Sequence, residues 1–251
     1  MAKKLGLIQT RGLGDIIISV PIANYYNNQG WEVYWPIIDT WVDQMSKAFP
    51  WVKWIPITPD QGAFFYEEPL KRLKNFKCDE IIPLYQALTG QDFHNEVCFQ
   101  HTKFDQYKYI RAGVPFFEKW NLAYCLTRDA VREKALYDRL ITNPNYVVVH
   151  LDGSDHRAGW DSSMVPEGWQ TIEITPEHTD NIFDWLLILE RAQSVVLVDS
   201  VFANLVDQIG LCDDKYFIPR SHLGLTPVLG NHWTWLTNPN LSPAARSIAV
   251  P

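Results

Sequence analysis

The feature that most constrains the fold is an alternation of short apolar segments with helical segments, which occurs in both halves of the chain. The first half has predicted strands at residues 4–10, 31–38, 52–58 and 80–85. The second half has predicted strands at residues 146–151, 169–174, 194–199 and 215–218. Strands that are separated by helices pair in parallel through right-handed crossovers. The sequence therefore predicts an α/β protein.

The pattern predicts two Rossmann-like domains that face a cleft. The predicted N-terminal domain is 1–127, the connecting helix or linker is 128–145, and the C-terminal domain is 146–251. The connecting stretch has charged residues and Pro144, which are typical of a hinge. Ligands of α/β proteins bind at the carboxyl ends of the strands, so we expect the functional site in this cleft.

Composition excludes several classes of protein. The 251 residues are 47% hydrophobic and carry a formal net charge of −7, which excludes a disordered chain and argues against a protein that coats nucleic acid. No apolar run approaches the roughly 20 residues that span a bilayer. The cysteines form no CxxC pair, so we expect reduced thiols in a cytoplasmic protein: Cys78, Cys98, Cys125 and Cys212.

A glycine turn, Gly12-Leu13-Gly14-Asp15, lies between the first predicted strand and a helix. Such a turn lets a ligand approach the backbone at a helix N-terminus. One interpretation is an ordinary turn with Asp15 as the helix cap. Another is a dinucleotide fingerprint with Asp39 as the ribose-binding acid, although Ile17 stands where the third glycine would be.

Three segments together favour a further interpretation. Residues 14–21 have a Gly-Asp pair followed by aliphatic residues, a serine and Pro21. Residues 195–200 form an apolar strand that ends in Asp-Ser, and residues 150–160 combine His, Asp-Gly-Ser, Arg157 and Trp160. In this order and spacing, the segments resemble the heptosyltransferase-like glycosyltransferases (family 9), which have the GT-B fold.

The resemblance implies roles for individual residues. Asp15 is the expected general base, in a first domain that faces the acceptor. The residues expected to bind the nucleotide-sugar donor are Gly12, Gly14, Ser154, Arg157, Asp199, Ser200 and Asn204. The sequence departs from the family pattern after the Asp-Ser pair, because Val201 replaces a small residue and Asn204 replaces a histidine.

The predicted function is sugar transfer from a nucleotide-sugar to a hydroxyl acceptor, with inversion at the anomeric carbon. The acceptor is a saccharide, another glycan or a modified nucleobase. The resemblance implies no required metal and no cofactor beyond the nucleotide-sugar co-substrate. The alternatives are a nicotinamide-dependent oxidoreductase and a non-catalytic nucleotide- or sugar-binding protein. A metal site at His150, Asp152, Asp155 and His156 is a weaker alternative, because their spacing matches no familiar site.

The segment 101–109 mixes basic and aromatic residues. It is predicted to be the exposed face of a linking helix, and contact with an acceptor is the alternative.

Overall fold

The computed structural model describes residues 2–59, 65–85, 102–153, 157–219, 226–230 and 232–236. The chain divides into two compact units, Met1–Thr127 and Arg128–Pro251. Each unit is built on its own parallel sheet, with helices between successive strands. The predicted α/β class with parallel sheets is therefore confirmed.

The sheet of the first unit has the strand order β3-β2-β1-β4, and all its pairs are parallel. The strands are β1 (Lys4–Ile8), β2 (Glu32–Ile38), β3 (Lys53–Ile57) and β4 (Glu80–Pro83). The chain moves outward from β1 to β3 on one side and returns to the other side of β1 with β4. Ligands of open α/β sheets bind where the order reverses, beyond the carboxyl ends of the strands. That point lies between β1 and β4.

Among the described residues of the first unit, four α-helices accompany this sheet. They are α1 (Leu13–Asn27), α2 (Val42–Ala48), α3 (Glu67–Asn75) and α4 (Phe104–Arg111). Two 3-10 helices, Asp39–Trp41 and Phe116–Tyr124, complete the described part of the unit. In α1, every residue from Ile16 to Ala23 is buried, which is typical of a helix inside a core.

Helix α1 continues through Pro21, which has no N–H to donate to the carbonyl of Ile17. Neighbouring carbonyls in the same stretch accept bonds from side chains. Ser19 Oγ donates to the carbonyl of Asp15 at 2.8 Å, and the Tyr109 hydroxyl donates to the carbonyl of Ile18 at 2.9 Å. The first bond lies within the helix, and the second is a tertiary contact that holds the helix next to Pro21.

The sheet of the second unit has the order β6-β5-β7-β8-β9, again with parallel pairs. The strands are β5 (Tyr146–His150), β6 (Gln170–Glu173), β7 (Ser194–Val198), β8 (Asp214–Ile218) and β9 (Trp233–Trp235). This is the order of flavodoxin-like doubly wound sheets, and it reverses between β5 and β7. Both of these strands are buried throughout, as expected when helices cover both faces.

In the part of the second unit that the structure describes, the α-helices are α5 (Ala130–Leu140), α6 (Leu186–Arg191) and α7 (Val201–Ile209). The 3-10 helices Ser162–Met164 and Ile182–Trp185 lie in the same unit. Arg132 of α5 donates two hydrogen bonds to Asp184, at 2.9 and 2.7 Å. The stretch predicted to be a linker thus contains a helix that packs inside the second unit.

Cys78, Cys125 and Cys212 are free thiols, and Cys98 lies outside the described residues. Burial raises the pKa of Cys125 to about 12 and that of Cys78 to about 11, so both stay protonated at neutral pH. Among the helices that the structure describes, none has the length and apolar character needed to cross a membrane.

Candidate functional site

The glycine turn follows β1 at the crevice of the first sheet. Gly12 is the N-cap of α1 and has a left-handed backbone, with a φ of 76°. The helix begins at Leu13, which makes Gly14 its second residue and Asp15 its third. The interpretation of Asp15 as the helix cap is therefore wrong, because the helix begins two residues before it.

Gly12 also makes room for the Asp15 carboxylate. A Cβ atom at Gly12 would lie 2.5 Å from Asp15 Oδ2, well inside van der Waals contact. The turn thus requires glycine for two reasons, its left-handed φ and the approach of this oxygen.

The other oxygen of Asp15 contacts a buried lysine from α4. Lys108 Nζ lies 3.2 Å from Asp15 Oδ1, and the side chain of Lys108 is 4% exposed whereas that of Asp15 is 36% exposed. Asp15 therefore presents a carboxylate that is partly open to solvent and paired on its inner side.

The prediction that the segment 101–109 is an exposed helix face is wrong. It does contain the start of α4, but Tyr107, Lys108 and Tyr109 are buried. Lys108 was missed as a site residue. The only sign of Lys108 in the sequence is that it lies among aromatic residues.

Tyr85, which follows β4, connects the two strands of the first crevice. Its hydroxyl accepts hydrogen bonds from the backbone N–H of Thr10 at 2.9 Å and of Arg11 at 3.0 Å. Burial raises the pKa of Tyr85, so the group stays a neutral phenol. Tyr85 was also missed, because no motif marks it in the sequence.

The dinucleotide alternative relied on Asp39, which follows β2. Its Oδ1 accepts the backbone N–H of Thr40 at 2.8 Å, and its Oδ2 accepts the hydroxyl of Thr58 at 3.1 Å. Both oxygens thus have partners within the first unit, and Asp39 is not among the residues that meet Asp15 at the β1–β4 crevice.

At the crevice of the second sheet, the end of β5 contacts the start of α7. His150 Nδ1 lies 3.0 Å from Ser200 Oγ, and Ser200 is the N-cap of α7. Burial lowers the pKa of His150 to about 4, so its ring is neutral at pH 7. The ring also packs against Phe202, with 4.8 Å between centroids.

Asp199 and Asn204 lie next to Ser200, and both are buried. The backbone N–H of Asp199 donates to the carbonyl of Ile218 at 3.0 Å, which ties the end of β7 to β8. Asn204 Nδ2 donates to the carbonyl of Ser200 at 2.9 Å, while its buried Oδ1 has no partner within the described residues. The start of α7 thus brings together three of the predicted donor-binding residues.

Arg157 has a different environment, because it pairs with two carboxylates. Its NH1 group lies 2.9 Å from each oxygen of Asp152, and its NH2 group contacts Glu173 at the end of β6. The hydrogen bonds to Glu173 and Asp152 raise the pKa of Arg157. The side chain is 51% exposed, so the guanidinium is accessible while its charge is balanced.

Ser154 lies outside the described residues, as do Asp155 and His156 of the metal alternative. Elsewhere, within the ranges given above, no three His, Cys, Asp or Glu side chains are arranged to hold a metal ion.

No protein-family model matches the sequence, and no curated protein is similar to it at the sequence level. Solved structures do match the fold. The E. coli heptosyltransferase WaaC with ADP-2-deoxy-2-fluoro heptose is 12% identical with a TM-score of 0.51, over 93% of this chain and 92% of that one. A family 9 glycosyltransferase from Veillonella parvula is 11% identical with a TM-score of 0.54, over 93% and 86%.

The iron-containing dodecameric glycosyltransferase TibC from enterotoxigenic E. coli has a TM-score of 0.58 at 12% identity. The match covers 94% of this chain and 63% of that longer one. At these identities the comparisons establish the fold. The resemblance inferred from the sequence is confirmed at that level: the fold of this chain is similar to that of heptosyltransferases and family 9 glycosyltransferases.

Proposed function

We propose that this protein is a glycosyltransferase that moves a sugar from a nucleotide-sugar donor to an acceptor hydroxyl. The observation that carries the proposal is the Asp15 carboxylate at the β1–β4 crevice, partly exposed and held through one oxygen by Lys108. A fold shared with a heptosyltransferase solved with an ADP-heptose analogue supports a nucleotide-sugar as the donor.

Asp15 is the proposed general base. Its Oδ2 accepts the proton of the acceptor hydroxyl while the acceptor oxygen forms a bond to the anomeric carbon of the sugar. The bond between that carbon and the diphosphate breaks, and its electron pair leaves with the diphosphate. A single displacement of this kind inverts the anomeric centre.

The donor side is proposed to lie at the β5–β7 crevice. Backbone N–H groups at the start of α7, next to Asp199 and Ser200, are suited to bind phosphate oxygens. Asn204, whose buried Oδ1 has no partner within the described residues, is the proposed contact for the sugar or ribose hydroxyls. Arg157 and Ser154 are the further donor-binding residues of the second unit.

We further propose that transfer proceeds without a metal ion. The leaving diphosphate carries negative charge, and the N-terminus of α7 is suited to stabilise it. The exposed guanidinium of Arg157 is proposed to add N–H donors to the phosphate oxygens in exchange for contacts to Asp152 and Glu173. Gly12 and Gly14 allow close approach of a ligand to the backbone of the first unit. The proposed acceptor is a saccharide, another glycan or a modified nucleobase.

The test is a panel of nucleoside diphosphates and their sugars, scored first by the rise in melting temperature and then by transfer to saccharide acceptors. Ligands that bind the folded state raise its melting temperature. We expect one nucleotide series to stabilise the protein and its sugar to be transferred, with the same rate in EDTA. Binding without turnover on any acceptor favours a non-catalytic protein, and stabilisation by NAD alone favours an oxidoreductase.

A further inference from the structure

Lys108 is an unusual residue for the inside of a sheet protein, because lysine is almost never fully buried without partners. Its Nζ donates to Gln9 Oε1 at 2.6 Å and to the carbonyl of Leu84 at 3.3 Å, and it pairs with Asp15 Oδ1 at 3.2 Å. These partners come from the end of β1, the end of β4 and the start of α1. The ammonium is therefore fixed at the point where the first sheet reverses its strand order.

Gln9 is fixed just as firmly. It is buried, its Nε2 donates to the carbonyl of Arg11 at 2.8 Å, and its backbone carbonyl accepts the indole N–H of Trp35 at 3.0 Å. Lys108 thus reaches one side of the glycine turn through Gln9 and the other side directly through Asp15. The ammonium and the turn form a closed ring of contacts, so Lys108 has little freedom to move.

The two oxygens of Asp15 consequently have different surroundings. Oδ1 is paired with Lys108, whereas Oδ2 lies against Gly12. A carboxylate held through one oxygen has a defined rotamer, and proton transfer depends on such geometry.

We propose that Lys108 is a positioning residue for Asp15, which it holds through Oδ1 so that Oδ2 takes the acceptor proton. This inference rests on the proposed glycosyltransferase function.

The chain contains a natural control pair, Asp43 and Lys47 of α2. Asp43 also lies in the first turn of a helix and pairs with a lysine, at 2.7 Å. The side chains are 81% and 56% exposed, and such surface pairs contribute little.

The test is a double-mutant cycle on kcat. We expect Lys108→Met to lower kcat on the order of 10²-fold, the scale of a misplaced catalytic group, with the KM for the donor unchanged. In an Asp15→Asn background, Lys108→Met should change nothing further, because no base remains to be positioned. Asp43→Asn and Lys47→Met, alone or together, should leave kcat at the wild-type value.

Lys108→Met removes a donor from buried acceptors, so its folding is checked by thermal melting. If it does not fold, Gln9→Met provides the second variant, because it keeps the ammonium and removes one of its anchors. A lowered kcat with an unchanged donor KM supports the proposal for either variant.

Two results separate this inference from the proposed function. Wild-type protein that transfers no sugar overturns both. Full kcat in folded Lys108→Met or Gln9→Met, with Asp15→Asn inactive, overturns the role of Lys108 alone. An equal loss from Lys108→Met in both backgrounds also overturns it, because Lys108 then acts independently of Asp15.

Discussion

His150 Nδ1 lies 3.0 Å from Ser200 Oγ, a contact that joins the end of β5 to the first residue before α7. The two strands concerned, β5 and β7, are neighbours at the point where the strand order of the second sheet reverses. The contact therefore fixes the hydroxyl of Ser200 at the start of the helix proposed to bind the donor. It also buries an imidazole, which has a measurable consequence for stability.

We predict that His150 makes the protein sensitive to mild acid. Burial lowers its pKa from 6.5 to about 4, so the unfolded chain binds a proton at this site more readily than the folded protein. The free energy of unfolding should therefore fall as the pH drops from 6.5 to 4, by up to about 3 kcal/mol, since each pKa unit is worth about 1.4 kcal/mol. Urea denaturation at pH 7 and pH 4.5 measures this.

His150→Gln removes that contribution, so the loss between the two pH values should be smaller in this variant than in wild type. Ser200→Ala retains the imidazole and should keep most of the pH-dependent loss. An equal loss in wild type and His150→Gln contradicts the prediction.

Asp15→Asn should lower kcat roughly 10²–10⁴-fold, the usual contribution of a general base, with donor affinity nearly intact. An amide keeps the size of the side chain but does not take up the proton. Steady-state kinetics and calorimetry with the nucleoside diphosphate check the two parts. Asp43→Asn makes the same charge change in the first turn of α2 and should leave kcat and donor affinity unchanged. Full turnover by Asp15→Asn refutes the assignment.

Gly12→Ala should abolish transfer as well as destabilise the first unit. The left-handed φ of 76° costs a residue other than glycine on the order of 1–3 kcal/mol, and the added Cβ displaces Asp15 Oδ2. Gly30→Ala is the matched control, because Gly30 has a φ of 85° and no atom of the described residues stands within 4 Å of its Cβ position. We expect the control to lose stability and keep kcat. Equal activities in the two variants would count against the close approach at Gly12.

Arg157→Ala and Asp152→Asn should change donor affinity in opposite directions. Removing the guanidinium should weaken binding of the nucleoside diphosphate, on the order of 10- to 100-fold. Removing the charge of Asp152 leaves Arg157 with fewer competing contacts, so the diphosphate should bind more tightly. Calorimetry measures both, and exposed Glu167→Gln controls for net charge. Unchanged affinity for the diphosphate in both variants would show that Arg157 is not part of the donor site.

Lys119→Met should destabilise the first unit by about 3–5 kcal/mol, because it removes a cation that pairs with the buried carboxylate of Asp105. Lys119 Nζ lies 2.8 Å from Asp105 Oδ2, and both side chains are fully buried. Adding Asp105→Asn should recover part of the loss. Lys134→Met breaks an exposed pair with Asp138 and should cost less than about 1 kcal/mol. Chemical denaturation compares these three variants with wild type, and similar losses for the two lysine variants would contradict the prediction.

Much of the fold could be predicted from the sequence, because strands and turns are specified by residues that are close together in the chain. The apolar runs of β5 and β7 are short enough to be strands and too uniform for a half-exposed surface, so they predicted buried parallel strands. The glycine turn was visible for the same reason. In contrast, β9 is three residues long and shows no period, and the sequence did not predict it.

The residues of the candidate site also fall into those that a local motif predicts and those that only long-range contacts reveal. Asp15 and Ser200 were predicted because each lies in a motif next to its own strand and helix. Lys108 was not, because it contacts Gln9 from 99 residues away in the sequence, and no local pattern specifies such a pair.

The sequence by itself determined which segments become strands and helices, and it placed Asp15 at a glycine turn before a helix and Asp199 at the end of a strand. The tertiary structure alone decided which charges meet: Lys108 with Asp15 in the first unit, and Arg157 with Asp152 and Glu173 in the second. The physical reason is that backbone conformation follows from neighbouring residues. Charge pairing instead depends on strand order, which brings distant segments to the same edge of a sheet.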